Sequence, residues 1–281
     1  MNDTTAARRD PALAAAAQAA EEAYRAARAA HSAQELAEPV AMGADGTPTM
    51  RIDRIVEDAV IAALEPHRVN VLSEESGWID NGSEISLVID PLDGSANGAA
   101  GVPLTAFAGA VAVAGEFTEA YTVWLDTGRG WWAHRDHPVP YRTSGRRRLA
   151  GAALSMLRPH TAKPGPAAAW WAAASEAARV RILSTTCLEA ALVAEGAIDA
   201  FADACSDTHR LVDLAAAAVM VPRAGGVVLD VSGRPVVFDT DLTRRWSGVV
   251  AATPDLGAEL VEVLAGAADG ATSGAPLGTN G

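Results

Sequence analysis

The sequence predicts an α/β protein with an α+β N-terminal half and an α/β C-terminal half, and three observations carry that expectation. In the second half, apolar runs of strand length alternate with segments of helical period, the pattern of a largely parallel sheet covered by helices. In the first half, two helical segments precede closely spaced strands joined by short turns, which reads as an antiparallel or mixed sheet. Within that half the run Ile85-Ser86-Leu87-Val88-Ile89 stops abruptly at Asp90-Pro91-Leu92-Asp93-Gly94-Ser95. It reads as a buried strand delivering two carboxylates to the rim of a sheet, where α/β proteins keep their chemistry.

Taken in order, the Ala-rich stretch 11–31 carries charges at helical spacing and predicts a first long helix. The turn-rich segment 42–49 precedes apolar positions from Ile52 to Leu64 at helical period, a second helix starting near Asp53. Strands are expected at 69–72, 85–89, 105–114 and 120–125, with Trp124, Trp131 and Trp132 as core or interface packing and Arg146 to Arg148 as a solvated loop. The second half reads as strand 152–157, a helix through Trp170 and Trp171, strand 180–183, helix 186–195, strand 198–202 and helix 210–223. Closing strands at 227–231, 236–238 and 248–252 follow, then a last helix from Pro254 to about Ala265. The expected organisation is therefore 1–150, 151–265, and a disordered tail over 266–281, rich in Gly, Ala, Thr and Ser.

Composition narrows the function. The 281 residues hold 22 Lys and Arg against 35 Asp and Glu, a formal charge of −13, which argues against a nucleic-acid binder and against binding to an anionic membrane. An anionic substrate would need a local cation, and a divalent metal is the obvious one. Two cysteines without metal-ligand spacing fit a reducing cytoplasm, and neither a signal peptide nor a membrane span is expected.

Asp90 and Asp93 sit three apart across a proline, so a turn can aim both into one cavity while Gly94 and Ser95 offer N–H donors. Two carboxylates about 4 Å apart repel by roughly 4 kcal/mol at an effective dielectric near 20. A hard divalent cation with oxygen ligands resolves that repulsion. An EF-hand loop starting at Asp90 fails, since its third position is Leu92 and its twelfth is Gly101.

The segment Asp90-Pro91-Leu92-Asp93-Gly94-Ser95-x-Asn97, preceded by Ser73-Glu74-Glu75-Ser76-Gly77, resembles the inositol monophosphatase family of Mg²⁺-dependent, lithium-sensitive phosphatases. Upstream, Asp45-Gly46-Thr47-Pro48-Thr49-x-x-Ile52-Asp53 is similar to the archaeal-type members acting on inositol phosphate and fructose 1,6-bisphosphate. Downstream, Arg210-Leu211-Val212-Asp213-Leu214-Ala215-Ala216 and Ala224-Gly225-Gly226 resemble the second family signature.

The resemblance implies a five-layer αβαβα sugar-phosphatase fold and a phosphomonoesterase working by metal-activated water with two or three Mg²⁺, with Li⁺ inhibitory. It implies Glu74, Asp90, Asp93, Asp213 and the carbonyl of Leu92 as metal ligands, and Glu74, Ser95 and Asp53 as the water-orienting groups. Asp93, Gly94, Ser95, Asp203, Arg210 and Asp213 would bind substrate, with His209 a further candidate. It also implies a small-molecule phosphomonoester partner and a homodimer. Two departures bear on the substrate: Val212 replaces a tryptophan, and Ser184-Thr185-Thr186-Cys187 replaces a Gly-Ser-x-Ala segment lining the alcohol pocket. A nucleotide, histidinol phosphate or a specialised-pathway intermediate are alternative substrates. An aspartyl-phosphate enzyme with Asp90 as nucleophile, and a phosphate sensor without catalysis, are the rival classes.

Overall fold

Why Asp90 and Asp93 share a cavity is answered by the strands around them. The structure, a computed structural model describing residues 9–273, begins with helix α1 (Pro11–Ala30), whose N-cap Asp10 accepts the N–H groups of Ala12 and Leu13. A single turn, α2 (Ala33–Leu36), and a hairpin of β1 (Pro39–Met42) and β2 (Pro48–Met50) lead into α3 (Arg51–Leu64). The first sheet comprises β3 (Asn70–Ser73), β4 (Gly77–Ile79), β5 (Ile85–Asp93), β6 (Ala106–Val113), β7 (Glu116–Trp124) and β8 (Arg129–His134), with the short helix α4 (Ser95–Ala100) after β5. Its order is β4-β3-β5-β6-β7-β8; β3 and β5 run parallel and the other neighbours antiparallel.

The second half contains β9 (Ala153–Met156), α5 (Pro164–Glu176), β10 (Arg179–Arg181), α6 (Thr186–Ala194), β11 (Ala200–Ala202), α7 (Leu211–Arg223), β12 (Val227–Asp230), β13 (Gly248–Ala251) and α8 (Pro254–Ser273). The sheet order is β10-β9-β11-β13-β12. Here the expectation of a largely parallel sheet is corrected: β10, β9 and β11 are parallel, whereas β13 is antiparallel to both its neighbours. The link from β12 to β13 carries no helix, and a strand pair joined without a crossover helix pairs antiparallel.

Five layers result. Helices α1 and α3 cover one face of the six-stranded sheet through Leu13, Val56, Leu87, Ile89 and Phe107. Helices α6 and α7 fill the centre, packing Leu188, Ala191 and Ala217 against Ala106, Ala108 and Val250, and Leu211 and Leu214 against Val88. Helices α5 and α8 cover the five-stranded sheet through Ala169, Ala173, Leu256 and Leu260. β5 is covered on both faces, and so it reads as a continuous apolar run.

Three further expectations change. Residues 236–238 form no strand; Phe238 sits edge-on to Trp78 and Phe117 at ring distances of 6.0 and 6.4 Å, so its apolarity serves packing rather than pairing. The tail expected to be disordered from 266 is helical to Ser273, because α8 continues over α5, where Gly165 lets the helix approach Ala268. Residues 274–281 lie outside the described residues. The hairpin β1–β2, strands β4 and β8 and the short α4 are additional to the expected elements, and Trp131, on β8, is buried. Arg147 and Arg148 are exposed but ion-paired to Asp255 and Glu259 of α8.

Candidate active site

In a regular strand, positions three apart face opposite ways. In β5, Asp90 pairs with Ala108 and Asp93 with Ala106, so three steps on β5 span two on β6. That extra residue is a β-bulge containing Pro91, which has no N–H to give the ladder. The bulge turns Asp93 to the same face as Asp90, toward the central helices, and Asp90 Oδ1 accepts the Leu92 N–H at 3.1 Å. Gly94 follows at φ +84°, and a Cβ there would meet the Leu104 carbonyl oxygen at 2.6 Å, so the step into α4 admits no side chain. The Ser95 hydroxyl donates to the Leu92 carbonyl at 3.0 Å.

The parallel neighbour supplies the next acid. Ser73 lies beside Ile89, so Glu74 leaves β3 next to Asp90. The turn after Glu74 is fixed from α3: buried Glu57 accepts the N–H groups of Glu75 at 3.1 Å and Ser76 at 2.7 Å. Asp53, in the first turn of α3, accepts the Met50 N–H at 3.0 Å, while its Oδ1 is buried without a partner among the described residues. A small cavity lined by Asp53, Glu74, Asp90 and Leu92 joins these groups.

Two central helices point their N-termini at the cluster. The Asp93 carboxylate accepts the Thr185 hydroxyl at 2.5 Å and the N–H groups of Thr186, Cys187 and Leu188 at 3.1, 2.8 and 3.4 Å. The start of α6 thus stabilises its negative charge. Asp213, in the first turn of α7, accepts the Arg210 N–H at 2.6 Å and Nε at 3.3 Å. The Arg210 guanidinium also bridges to Asp45 and Glu74, joining both halves of the chain.

Crowded, desolvated acids resist ionisation. Burial pushes Glu74 up to about 8, with the charges of Asp213 and Glu75 adding to it and Arg210 opposing. Burial, then Glu74 and Asp93, hold Asp90 well above the usual carboxylate range. Burial raises Asp53 and Asp93 to about 6, and the Thr185 hydrogen bond restrains Asp93. Cys187 Sγ lies with carboxylate oxygens of Asp90 and Asp93 inside a 4.8 Å cluster, and burial followed by the Asp93 charge pushes its thiol up.

Above the acids opens a cleft of about 420 Å³, lined by Asp53, Glu74, Ser95, Thr208, Arg210 and Arg245 among others. A wider surface hollow of about 960 Å³ beside Arg147, Arg148 and α8 holds none of the expected site residues. Of the expected site residues, Asp53, Glu74, Ser95 and Arg210 line this cleft, Asp90 and Leu92 line the small cavity with Asp53 and Glu74, and Asp93, Gly94, Asp213, Asp203 and His209 line neither. Asp203 is fully buried and turned into its own loop, accepting the N–H groups of Ser206 at 3.1 Å and Thr208 at 2.9 Å. His209 is buried against Phe201 and accepts the Gly248 N–H through Nδ1. Sequence reasoning missed Thr185 as the Asp93 holder, Arg245 on the cleft wall and Glu57 under the turn. The Thr185-Thr186 pair before an apolar helix was the available signal for the first of these.

A set of acids at strand ends and helix starts, with a hydroxyl and a guanidinium facing one cleft, belongs to a phosphoric monoester hydrolase acting on a small phosphate ester. The inositol monophosphatase family model matches residues 6–269, and the chain belongs to that family. It is 29% identical over 244 residues to the fructose-1,6-bisphosphatase/inositol-1-monophosphatase of Thermococcus kodakarensis, covering 82% of this chain and 88% of that one. It is 28% identical over 240 residues to the bifunctional NADP phosphatase/NAD kinase of Methanococcus maripaludis, covering 75% of this chain and 42% of that larger protein. Among solved structures it is similar to the MJ0109 gene product, an inositol monophosphatase–fructose 1,6-bisphosphatase, with a TM-score of 0.78, 26% identity and coverage of 90% and 98%. No helix among the described residues is long and apolar enough to cross a membrane.

Proposed function

We propose that the chain hydrolyses a small sugar or cyclitol phosphate with Mg²⁺, of the inositol monophosphate or fructose 1,6-bisphosphate type. The observation that carries this reading is the convergence of Glu74, Asp90, Asp93 and Asp213 from β3, β5 and α7 beside Asp53, whose Oδ1 has no partner among the described residues. Hard oxygen donors of this kind, their pKa values raised first by burial and then by mutual repulsion, fit a hard divalent cation. Glu74, Asp90, Asp93, Asp213 and the Leu92 carbonyl would hold Mg²⁺, which when bound neutralises these acids, polarises the phosphoryl oxygens and lowers the pKa of water.

The remaining work falls to the chain. Glu74 and Ser95 orient the attacking water, and Asp53, near 6, holds or releases a proton at Oδ1 close to neutrality. Gly94 and Ser95 offer N–H groups to the phosphate, and Arg210 holds the substrate at the cleft wall. Asp203 orders the loop that brings Thr208 into the cleft. Asp90 is only 1% exposed, which disfavours it as an attacking nucleophile. The working form is proposed to be a cytoplasmic homodimer, for which light scattering after size-exclusion chromatography is the direct measurement.

The test is phosphate release from inositol 1-phosphate and fructose 1,6-bisphosphate with Mg²⁺, with chelator and with Li⁺. Release that needs Mg²⁺ and falls with Li⁺ supports the reading; release indifferent to chelator sinks it.

A further inference from the structure

The cleft carries a cation that the acid cluster does not pair. Arg245 lies on the segment before β13, and its guanidinium donates to backbone carbonyls: Nη1 to Leu242 and to Arg244 at 3.3 Å, and Nη2 to Asp45 at 3.0 Å. Among the described residues it forms no ion pair. The nearest acid, Asp45, is already engaged, its carboxylate accepting Arg210 and the N–H and hydroxyl of Thr47 at 2.8 Å. Asp207, also lining the cleft, is taken by Arg234 and Ser247. In a chain with a formal charge of −13, a guanidinium that lines the cleft and forms no ion pair among the described residues has its positive charge left for an anion.

We infer that Arg245 reads a second phosphate group of the substrate, remote from the ester that is cleaved. The inference rests on the phosphatase reading and deepens it, selecting bisphosphorylated substrates over simple monoesters. Both Arg210 and Arg245 reach Asp45, one at its carboxylate and one at its carbonyl, so the two cations stand side by side on the wall facing the acids. The cleft of about 420 Å³ falls in the range of roughly 300–1,000 Å³ usual for small-ligand sites, enough for a sugar with a phosphate at each end. The protein backbone fixes the guanidinium in advance, so little side-chain freedom is lost when a phosphate is gripped.

The test is steady-state kinetics of the wild type, Arg245→Gln and Arg245→Lys on fructose 1,6-bisphosphate, NADP⁺ and 4-nitrophenyl phosphate. A charge-assisted hydrogen bond predicts that Arg245→Gln raises KM for a substrate with a second phosphate by about 10–100-fold while kcat changes little. The loss on 4-nitrophenyl phosphate is expected to be at least about tenfold smaller, and Arg245→Lys should recover part of the KM. Selective loss on the sugar or on NADP⁺ supports the subsite and identifies which source it reads. Equal loss on all three, or none, overturns it. Wild-type protein releasing no phosphate from any of them overturns the phosphatase reading instead; equilibrium dialysis of fructose 1,6-bisphosphate then decides the subsite, an unchanged affinity in Arg245→Gln ruling it out.

Discussion

The floor and the wall of the cleft are built differently. The floor is made of acids fixed by secondary structure: β3 and β5 end side by side, a bulge turns Asp93 inward, and α6 and α7 start at the carboxylates they stabilise. The wall is made of cations and loops gathered from far apart, with Arg210 and Arg245 meeting Asp45 across 165 and 200 residues of chain. On the proposed reading, the reaction would rest on rigid elements and the choice among substrates on loop segments that those elements hold in place.

Changes to the floor should therefore cost turnover, and changes to the wall should cost affinity. Asp93→Asn breaks the floor most directly: loss of a proposed metal ligand exceeds the 10–100-fold that supporting groups usually cost, so turnover should fall by more than about 100-fold. Circular dichroism should show the fold retained. Gly94→Ala sharpens the same side, because the φ of +84° and the 2.6 Å approach to the Leu104 carbonyl are both incompatible with a Cβ. A stability loss of about 1–3 kcal/mol in urea unfolding, together with lost activity, is expected. Thr185→Val removes one of the hydrogen bonds on Asp93 and should lower kcat about tenfold while sparing the bisphosphate-to-aryl-phosphate preference.

The smallest effect concerns Glu189, which is fully buried and accepts the Ser155 hydroxyl and the Thr185 N–H. Burial raises it to about 8 from an ordinary 4.5, so the folded state keeps a proton that the unfolded chain gives up. Stability from that proton is present below pH 4.5 and is lost as pH rises through 8. Glu189→Gln should flatten the fall of Tm between pH 5 and pH 9, read by differential scanning calorimetry. A Gln variant with the same slope as the wild type would remove Glu189 from the account.

How much of this was legible in the sequence follows the same division. Helices α1 and α3 and the central strand β5 stand out because their periodicity reflects burial on one face or on both. Asp90 and Asp93 stood out by residue type and spacing, Asp213 by its lone charge in an apolar run, and Glu74 only through the family resemblance; the structure brings Glu74 beside Asp90 at the ends of neighbouring strands. The bulge was not, since a register shift belongs to two strands and only Pro91 hints at it. Asp203 was expected at the substrate, but its carboxylate is spent on its own loop, a choice made by backbone N–H groups that composition does not display. Arg245 was silent because the sequence does not show that the acids near it, Asp45 and Asp207, are engaged by Arg210 and Arg234, and α8 outran its expected end because it packs on α5, with Gly165 against Ala268.

The claim that one cation site is assembled from both halves of the chain is tested most directly by calorimetric titration of Mg²⁺ into the wild type, Asp93→Asn and Asp213→Asn. The account predicts saturable binding by the wild type and at least about tenfold weaker binding by each variant, one altered in β5 and the other in α7. Wild-type affinity in Asp213→Asn would contradict it.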